Sequence, residues 1–498
     1  MREPSDWPTH DLLTHRVETT PERTAMVDAD GGDRWTYREL DAAVDGVAAA
    51  LDSALDSSDA RVATLVDTRP AVARLLFGTM RLGSTLAPLN VDLDAGTLRA
   101  QLAALDADLL VCERSTEPLA TETADCPVVS VDEPAGDDVS VLRGTADGTA
   151  DSAVEPTALT RGETALVLFT SGTTSEPKGV RLTVGNLLSS ATASAFRLGV
   201  DPADGWLVCL PTYHMGGLAP FTRSVLYGTT VVVQRAFDSA ATAAAMADHG
   251  VTGVSLVPTM LRRLLDSGWH PPSSLRFVLL GGGPASPELL DRCIERGVPA
   301  YPTYGMTETA SQIATARPET AREYEGTVGQ PLVCTDVTVI ADGKRVEAGE
   351  RGELVVSGPT VTPGYLDGER TAAAFGPHGF HTGDVGYRDE DGRLWVVGRA
   401  DDRIVTGGEN VAASAVAATI RECPGVEDVA VVGLPDEEWG QQVAALVVGD
   451  VDRETVLAHC RAELAAFEVP KTVAVAGSLP RTASGTVDRE AVEHVLRD

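Results

Sequence analysis

The chain has 498 residues, more than one ordinary hydrophobic core accommodates, so two or more domains are expected. Its 40 basic and 73 acidic residues give a net charge of −33, which disfavours nucleic acid and anionic membranes as partners. Only three lysines occur (Lys178, Lys344 and Lys471), and this composition is typical of a protein adapted to a high-salt cytoplasm, where screening weakens the repulsion between acidic groups. A merely acidic protein of an ordinary cytosol is the alternative.

Cysteine usage and the termini bear on the cellular location. Seven scattered cysteines without a C-x-x-C pair indicate reduced thiols. Residues 1–7 lack a signal-peptide pattern, and no apolar run approaches about 18 residues. We therefore expect a soluble, cytoplasmic protein with no membrane span, and the sequence leaves open whether it forms a homo-oligomer.

Short apolar runs rich in β-forming residues alternate with helical stretches along the first 300 residues. They lie at residues 61–66, 165–169, 206–210, 229–233, 253–257 and 275–280. Such alternation predicts α/β layers with largely parallel strands. Residues 133–163 are rich in Asp, Gly, Thr and Ser, which predicts a mobile surface connection after a first subdomain.

The last hundred residues have a different pattern. Strand-like runs at 429–434 and 443–448 precede a helix on which Val456, Cys460, Leu464 and Phe467 share one face. We predict a small α+β domain over residues 401–498 and a large N-terminal domain over residues 1–400.

Residues 170–179 read Thr-Ser-Gly-Thr-Thr-Ser-Glu-Pro-Lys-Gly and follow an apolar run. Glycines and small hydroxylated residues let backbone N–H groups approach an anion closely, and Lys178 adds a positive charge. The run predicts a phosphate-binding loop. It is not a Walker loop, because Lys178 precedes Gly179 and Val180. An ordinary turn after a strand is the alternative that composition alone permits.

This run resembles, over its whole length, the signature loop of the adenylate-forming superfamily of acyl-CoA synthetases, luciferases and peptide-synthetase adenylation domains. The resemblance implies an α/β fold with a large multi-sheet N-terminal domain and a small mobile α+β C-terminal domain. It also implies a carboxylic acid, ATP and CoA as substrates, with Mg2+ as the metal. The loop residues that it assigns to the phosphates are Thr170, Ser171, Gly172, Thr173, Thr174 and Lys178.

Two further segments match the superfamily. Residues 304–308 read Tyr-Gly-Met-Thr-Glu, and the resemblance implies that they pack on the adenine while Glu308 serves the magnesium, a metal that accepts carboxylate oxygens. Residues 381–384 read His-Thr-Gly-Asp, which assigns Asp384 to the ribose hydroxyls. The nucleotide-binding residues predicted in addition are Gly282, Gly283, Tyr304, Gly305, Met306 and Thr307.

The segment Gly-Arg-Ala-Asp-Asp-Arg at residues 398–403 matches the junction between the two domains of the superfamily. It implies that Arg399 lies near the nucleotide and that the small domain rotates about Asp401. Gly407 and Gly408 resemble the glycine-rich strand that lines the pantetheine tunnel of CoA-forming members, where close backbone approach favours glycine. The proline and acidic residue usual after this strand are replaced by Ala413 and Ala417.

One departure concerns catalysis. Thr486 stands where the superfamily has a lysine that bridges the acyl carboxylate and the α-phosphate. Loss of such a charged donor is worth roughly 3–4 kcal/mol, about a hundred- to thousandfold in rate. Lys471, Arg481 and Arg489 are the nearby cations in sequence. The predicted catalytic residues are therefore Lys178, His214, Glu308 and, at the lysine position, Thr486.

The strings at residues 211–218, 223–228, 279–285 and 304–312 resemble those of the o-succinylbenzoate-CoA ligases of menaquinone biosynthesis. This implies a ligase that converts 2-succinylbenzoate, ATP and CoA to the acyl-CoA, AMP and pyrophosphate through an acyl-adenylate. His214 is then expected to face the acyl pocket, although a histidine in an ordinary turn is the alternative. Arg223 suits a second substrate carboxylate electrostatically, and a surface or structural arginine fits the sequence equally well.

Other functions stay open on the sequence. A synthetase for another aryl or medium-chain acid shares all the nucleotide motifs. A peptide-synthetase module is disfavoured because no carrier domain follows before Asp498. A non-catalytic nucleotide- or acyl-binding protein is the alternative of another class, and Thr486 favours it.

Overall fold

The computed structural model describes residues 7–57, 59–137, 139–142, 154–170, 177–400, 403–406, 409–436, 439–481 and 487–497. The strands, in chain order, are β1 (Thr24–Asp28), β2 (Arg34–Thr36), β3 (Arg61–Leu65), β4 (Thr85–Pro88), β5 (Leu109–Cys112), β6 (Val128–Ser130), β7 (Ser140–Val141), β8 (Thr164–Thr170), β9 (Lys178–Thr183), β10 (Gly205–Val208), β11 (Thr230–Val233), β12 (Gly253–Leu256), β13 (Phe277–Leu280), β14 (Ala300–Met306), β15 (Ser311–Thr315), β16 (Asp336–Ala341), β17 (Lys344–Arg345), β18 (Gly352–Ser357), β19 (Gly364–Tyr365), β20 (Phe375–Gly376), β21 (Gly379–Arg388), β22 (Leu394–Arg399), β23 (Arg403–Thr406), β24 (Glu409–Ala412), β25 (Val426–Asp436), β26 (Gly440–Gly449) and β27 (Thr472–Ala476).

The α-helices are α1 (Leu12–Thr19), α2 (Tyr37–Ala54), α3 (Pro70–Leu82), α4 (Ala95–Leu105), α5 (Glu117–Thr123), α6 (Val184–Leu198), α7 (Met215–Tyr227), α8 (Ser239–Asp248), α9 (Pro258–Asp266), α10 (Pro287–Arg296), α11 (Pro318–Glu323), α12 (Gly368–Ala374), α13 (Ala413–Arg421), α14 (Arg453–Glu463) and α15 (Arg489–Arg497). Within the described residues, no helix combines the length and the apolar character needed to cross a bilayer.

The chain divides into two compact units. The first contains Met1–Asp336 and Val356–Phe380, and the second contains Val337–Val355 and His381–Asp498. Residues 381–400 thus group with the C-terminal part of the chain. The predicted domain boundary adjoins residues 401 and 402, which lie outside the described residues, and it stays a prediction.

One sheet of the first unit has the strand order β15-β14-β13-β12-β10-β11-β1-β2. Its inner neighbours are parallel, and the edge strands β15 and β2 run antiparallel. The apolar runs predicted as strands at 206–210, 229–233, 253–257 and 275–280 form β10, β11, β12 and β13. Because these strands are parallel, their carboxyl ends meet at one edge, the usual place for ligands in α/β sheets.

The other sheet of the first unit has the order β19-β9-β8-β4-β3-β5-β6-β7. Strand β8 pairs with β4 through Leu166 and Leu86, and Ser140–Val141 pairs with β6. The predicted separation of a first subdomain from the phosphate loop is therefore wrong. The polar stretch at residues 133–163 misled the prediction, since the apolar strands before and after it share one core.

The start of α6 shows how local chemistry fixes an element next to the phosphate loop. Thr183 and Asn186 form a reciprocal capping box directly after β9. The Asn186 side-chain amide also donates to the carbonyls of Pro359 and Val361 at 2.9 and 2.8 Å. The helix is thereby tied to the chain segment that leads into β19.

A buried arginine organises the N-terminal helices. The Arg81 side chain is 2% exposed and pairs with Asp11 at 3.3 Å and with Asp41 and Asp45 at 2.6 Å each. Asp11 also caps α1 by accepting from the Thr14 N–H. A charge this deep is stable only when it is paired, so the cluster joins α1, α2 and α3.

In the second unit, β17, β16, β18 and β21 are successive neighbours, and β22 pairs with β21. The C-terminal sheet has the order β24-β23-β26-β25, with β27 beside β26. The strands predicted at 429–434 and 443–448 form the antiparallel pair β25 and β26. The predicted helical face was too long, because α14 ends before Leu464 and Phe467 lies beyond it with 42% of its surface exposed.

Candidate active site

The predicted phosphate loop joins two antiparallel strands of the first unit. Strand β8 ends at Thr170, β9 begins at Lys178, and these two residues are cross-strand partners. Both side chains are half-buried. The hairpin therefore brings the lysine back to the point where the chain left the sheet. Ser171, Gly172, Thr173 and Thr174 lie outside the described residues.

Glu308 lies in a single 3-10 turn, Thr307–Thr309, between β14 and β15. Its half-buried carboxylate accepts a hydrogen bond on Oε1 from the Tyr365 hydroxyl at 2.9 Å. The turn is tight, since a Cβ at Gly305 would come within 1.7 Å of the Ser311 carbonyl oxygen. Only glycine fits at that position.

The donor set around Glu308 fits magnesium. Mg2+ usually takes one or two carboxylates from the protein and fills its other positions with substrate phosphates and water. Among the described residues, no three His, Cys, Asp or Glu side chains form a metal cluster, and the Oε2 atom of Glu308 accepts no hydrogen bond. One carboxylate oxygen is thus available for a metal that arrives with the nucleotide.

Gly282 and Gly283 follow β13, which is the parallel neighbour of β14. Gly282 has a φ of +75°, and both glycines are exposed. The register places Leu280 opposite Pro302, so the glycines that follow β13 lie beside the part of β14 that contains Tyr304. The role of these residues in nucleotide binding stays a prediction.

His214 is the N-cap of α7 and follows the end of β10, a strand of the same sheet, by six residues. Its Nε2 atom is buried and has no hydrogen-bond partner among the described residues. Burial lowers the pKa of His214 to about 4, so the ring is neutral near pH 7. The Tyr213 ring packs edge-on at 4.7 Å between centroids. The loop before the helix is held by Thr68, whose Oγ1 donates to the Leu210 carbonyl at 3.3 Å and accepts from the Thr212 N–H at 3.2 Å.

Arg223 lies on α7 as well, nine residues beyond His214. It is 1% exposed, which excludes the surface arginine that the sequence left open. Its Nε and Nη2 atoms have no partner among the described residues, and its guanidinium carbon lies 5.1 Å from the centroid of the Trp206 ring. Burial lowers the pKa of Arg223. A buried guanidinium with two unused donors is suited to an anion that enters the protein.

Asp384 and Arg399 belong to the second unit and are cross-strand partners on β21 and β22. Arg399 Nη1 lies 3.5 Å from Asp384 Oδ1, and the Asp384 side chain is 11% exposed against 48% for Arg399. The carboxylate is thus held in the sheet while the guanidinium reaches solvent. The structure brings together the two residues that the sequence assigned to the nucleotide from separate motifs.

Several predicted residues lie outside the described residues and stay predictions. They are the loop residues already named together with Asp401, Gly407, Gly408 and Thr486. Two of the cations near Thr486 in sequence already have partners. Arg481 pairs with Asp428 at 2.6 Å, and Lys471 Nζ lies 4.1 Å from the centroid of the Trp439 ring.

Family models match both parts of the chain. Residues 13–366 match the model described as AMP-binding enzyme, and residues 415–486 match the AMP-binding enzyme C-terminal domain. The chain belongs to the AMP-binding enzyme family. The predicted adenylate-forming fold, with a large N-terminal domain and a small α+β C-terminal domain, is thereby confirmed.

Similar members of the AMP-binding enzyme family match nearly the whole length of the chain. It is 36% identical over 490 residues to the 2-succinylbenzoate–CoA ligase of Bacillus pumilus, covering 97% of each chain. The o-succinylbenzoate CoA synthetase of Bacillus subtilis, solved with the acyl-adenylate intermediate, is 33% identical with a TM-score of 0.90, and the match covers 97% of this chain and 98% of that one. The same Bacillus subtilis protein solved with ATP and magnesium gives a TM-score of 0.88 at 33% identity, with 98% and 99% covered.

Sequence reasoning missed two contributors to this AMP-binding enzyme. Tyr365 contacts Glu308 from a two-residue strand 57 positions along the chain, and Thr68 holds the His214 loop from the connection between β3 and α3. Neither residue carries a motif. The signal for both is purely spatial, because each acts through a contact between segments that are distant in sequence.

Proposed function

We propose that the chain is a 2-succinylbenzoate–CoA ligase. It joins 2-succinylbenzoate to CoA at the expense of ATP, and it releases AMP and pyrophosphate after passing through an acyl-adenylate. The match to ligases of this name along nearly the whole chain supports the reaction class. ATP, Mg2+ and CoA are the cofactor set that goes with it.

The observation that carries the choice of acid is Arg223. 2-Succinylbenzoate has two carboxylates, and only one is adenylated, so the other enters the protein as an anion. Burial of that anion is costly unless a cation meets it. Arg223 supplies a buried guanidinium whose Nε and Nη2 are unused among the described residues. A monocarboxylic acid would leave this charge without a partner.

The surroundings of Arg223 suit an aromatic acid. The guanidinium stacks over Trp206, whose Nε1 donates to Ser255 Oγ at 3.3 Å. Arg223 lies nine residues beyond His214, the N-cap of α7, which is a rise of about 13.5 Å along the helix axis between their Cα atoms. We assign His214 to the reacting end of the acid and Arg223 to the remote carboxylate.

In the first half-reaction, the substrate carboxylate attacks the α-phosphorus of ATP and pyrophosphate leaves. The loop between Thr170 and Lys178 binds phosphate oxygens, with Lys178 as the cation, and Asp384 binds the ribose hydroxyls. Glu308 would hold the Mg2+, which neutralises charge on the phosphates when bound. Neutral His214 packs against the acid without adding a charge beside the reacting carboxylate.

In the second half-reaction, the CoA thiolate attacks the acyl carbonyl and AMP leaves. The carboxylate is adenylated first because AMP is a far better leaving group than oxide. Rotation about Asp401 and passage of pantetheine along Gly407 and Gly408 are part of this proposal. Both rest on the sequence resemblance.

The test is CoA-dependent AMP release in molar KCl with MgATP, comparing 2-succinylbenzoate with benzoate and a medium-chain fatty acid. We expect turnover with 2-succinylbenzoate alone. Turnover with another acid would support the same reaction class and would change the assigned substrate. Absence of AMP with every acid, with ATP still bound, supports the non-catalytic alternative.

Replacement of Arg223 sharpens the test. Arg223→Met should raise the KM for 2-succinylbenzoate about a hundredfold, since truncation of one member of a buried charge pair costs several kcal/mol. The KM for ATP should stay unchanged. Arg223→Lys keeps the charge and loses the planar set of donors. Its KM for 2-succinylbenzoate should therefore lie between those of the wild type and Arg223→Met. Equal KM values for the acid in all three proteins would contradict the assignment.

A further inference from the structure

Among the described residues, the hydroxyl of Tyr365 is a hydrogen-bond donor to the carboxylate of Glu308. It donates to Oε1 at 2.9 Å, and the tyrosine is 8% exposed. A hydrogen bond to one oxygen restrains a carboxylate and leaves the other oxygen for a cation. This contact therefore favours the orientation of Glu308 in which Oε1 faces Tyr365.

Tyr365 is itself fixed to the strand that begins at Lys178. In the register of β19 with β9, Tyr365 lies opposite Val180, and the Leu366 N–H donates to the Gly179 carbonyl at 2.8 Å. The backbone N–H of Tyr365 donates to Thr371 Oγ1 at 2.9 Å. The tyrosine is thus held by both neighbours, β9 and α12.

The chain segment before Tyr365 also holds the backbone of Glu308. The Thr362 N–H donates to the Glu308 carbonyl at 2.7 Å, and Thr362 Oγ1 donates to the Arg181 carbonyl at 2.5 Å. Residues 362–366 therefore connect the lysine strand with both the backbone and the side chain of Glu308. One short segment sets the spacing between the two groups assigned to the triphosphate and its metal.

We infer that Tyr365 is a positioning residue for magnesium, which orients Glu308 toward the metal that accompanies ATP. The inference rests on the proposed function, in which Glu308 is the metal ligand. Groups that hydrogen-bond to a metal ligand typically change metal affinity about ten- to hundredfold when removed. The role of Tyr365 is distinct from that of a ligand, because its hydroxyl contacts Glu308 rather than the metal.

The alternative is a purely structural tyrosine, since the Tyr365 ring belongs to the hydrophobic core of the first unit. Tyr365→Phe separates the two roles, because it keeps the ring and removes only the hydroxyl. The readout is binding without turnover: the Kd for AMP, for ATP in EDTA, and for ATP with Mg2+, each measured by calorimetry. AMP and metal-free ATP report the nucleotide pocket, and only the third value reports the metal.

We expect Tyr365→Phe to weaken binding of ATP with Mg2+ about tenfold or more, while the other two Kd values stay as in the wild type. Tyr37→Phe is the matched control. The hydroxyl of that buried tyrosine lies 2.8 and 2.6 Å from the carbonyl oxygens of Ser224 and Thr229, which share its one proton, so loss of the hydroxyl should lower stability and leave all three Kd values unchanged.

A Tyr365→Phe protein with all three Kd values unchanged, or all raised by the same factor, overturns the inference. Glu308→Gln identifies which assignment has failed. If Glu308→Gln weakens binding of ATP with Mg2+ and Tyr365→Phe does not, only the role of Tyr365 is wrong. If neither changes it, the metal role of Glu308 is wrong and the inference falls with it.

Discussion

Arg399 Nη1 and Asp384 Oδ1 lie 3.5 Å apart as cross-strand partners of β21 and β22. The carboxylate is the more buried of the two, so the pairing holds an anion at a fixed place in the sheet while the arginine stays accessible. Asp384 is further fixed by its own N–H, which donates to Thr382 Oγ1 at 3.0 Å. A carboxylate held in this way is suited to accept hydrogen bonds from the two vicinal hydroxyls of a ribose.

Asp384→Ala should raise the KM for ATP about ten- to hundredfold, because hydrogen bonds to a charged acceptor contribute about 1.5–3 kcal/mol. Steady-state titration of ATP at saturating acid and CoA measures it. Asp389→Ala is the control, since Asp389 lies at the end of the same hairpin and pairs with Arg393 at 2.7 Å. An ATP KM that rises equally in both variants would assign the effect to the hairpin and not to the ribose.

Lys178→Ala should lower the rate of ATP–pyrophosphate exchange about a hundred- to thousandfold, because the lysine is the cation assigned to the phosphates. The chain has two other lysines, and Lys344 on β17 is exposed. Lys344→Ala should exchange pyrophosphate at the wild-type rate. Unchanged exchange in Lys178→Ala would remove the lysine from the phosphate site.

The elements best predicted from the sequence are those whose signal is local. The runs that became β10 and β13 are almost wholly apolar, which is typical of a buried parallel strand. The helical face ending at Phe467 failed because the pattern of apolar residues continues past the end of α14, and sequence spacing alone does not show where a helix stops.

Candidate site residues could be proposed from sequence motifs, whereas the contacts that position them could not. Thr170 and Lys178 were proposed from the residue types of the loop as well as from resemblance, and Glu308, Asp384 and Arg399 were proposed from resemblance. The spatial facts were not: nothing in the sequence distinguishes a buried Arg223 with unused donors from an arginine on the surface. The Tyr365 contact joins residues 57 positions apart, and only the packing of β19 against β9 brings them together.

His214 should make stability depend on pH in one defined window. The folded-state pKa is about 4 and the unfolded value is 6.5, so the unfolded chain takes up the proton first as the solution is acidified. The stability contributed by the neutral ring is complete above about pH 6.5 and is lost as the pH falls through the folded value. Chemical denaturation of the wild type and His214→Gln from pH 8 to pH 4 measures it.

The difference in unfolding midpoint between these two proteins should be constant from pH 8 to pH 7. Below pH 6.5 the wild type should lose stability relative to His214→Gln. The many carboxylates titrate in both proteins, and their effect cancels in the difference. A difference that stays flat down to pH 4 would show that the ring protonates in the folded protein as readily as in the unfolded one.

Arg81→Met should destabilise the first unit by about 3–5 kcal/mol, because it leaves buried or half-buried carboxylates of Asp11, Asp41 and Asp45 without their cation. Denaturant unfolding monitored in molar KCl measures it. Arg38→Met is the control: Arg38 pairs with Glu22 at 2.8 Å, but both side chains are mostly exposed, and such pairs contribute about 0–1 kcal/mol. Similar losses in the two variants would contradict the structural role of the Arg81 cluster.

Thr486→Lys tests the departure from the superfamily pattern. If no other cation serves the α-phosphate, a restored lysine should accelerate ATP–pyrophosphate exchange about a hundred- to thousandfold. The thioester half-reaction, measured from preformed acyl-adenylate and CoA, should keep its rate, because it does not use that lysine. We expect the accelerated exchange, since Arg481 and Lys471 are engaged by Asp428 and Trp439, and Arg489 also has an interaction within the chain. Exchange that stays at the wild-type rate would show that another cation reaches the site, and Arg489→Met in the wild-type background would then show whether Arg489 supplies it.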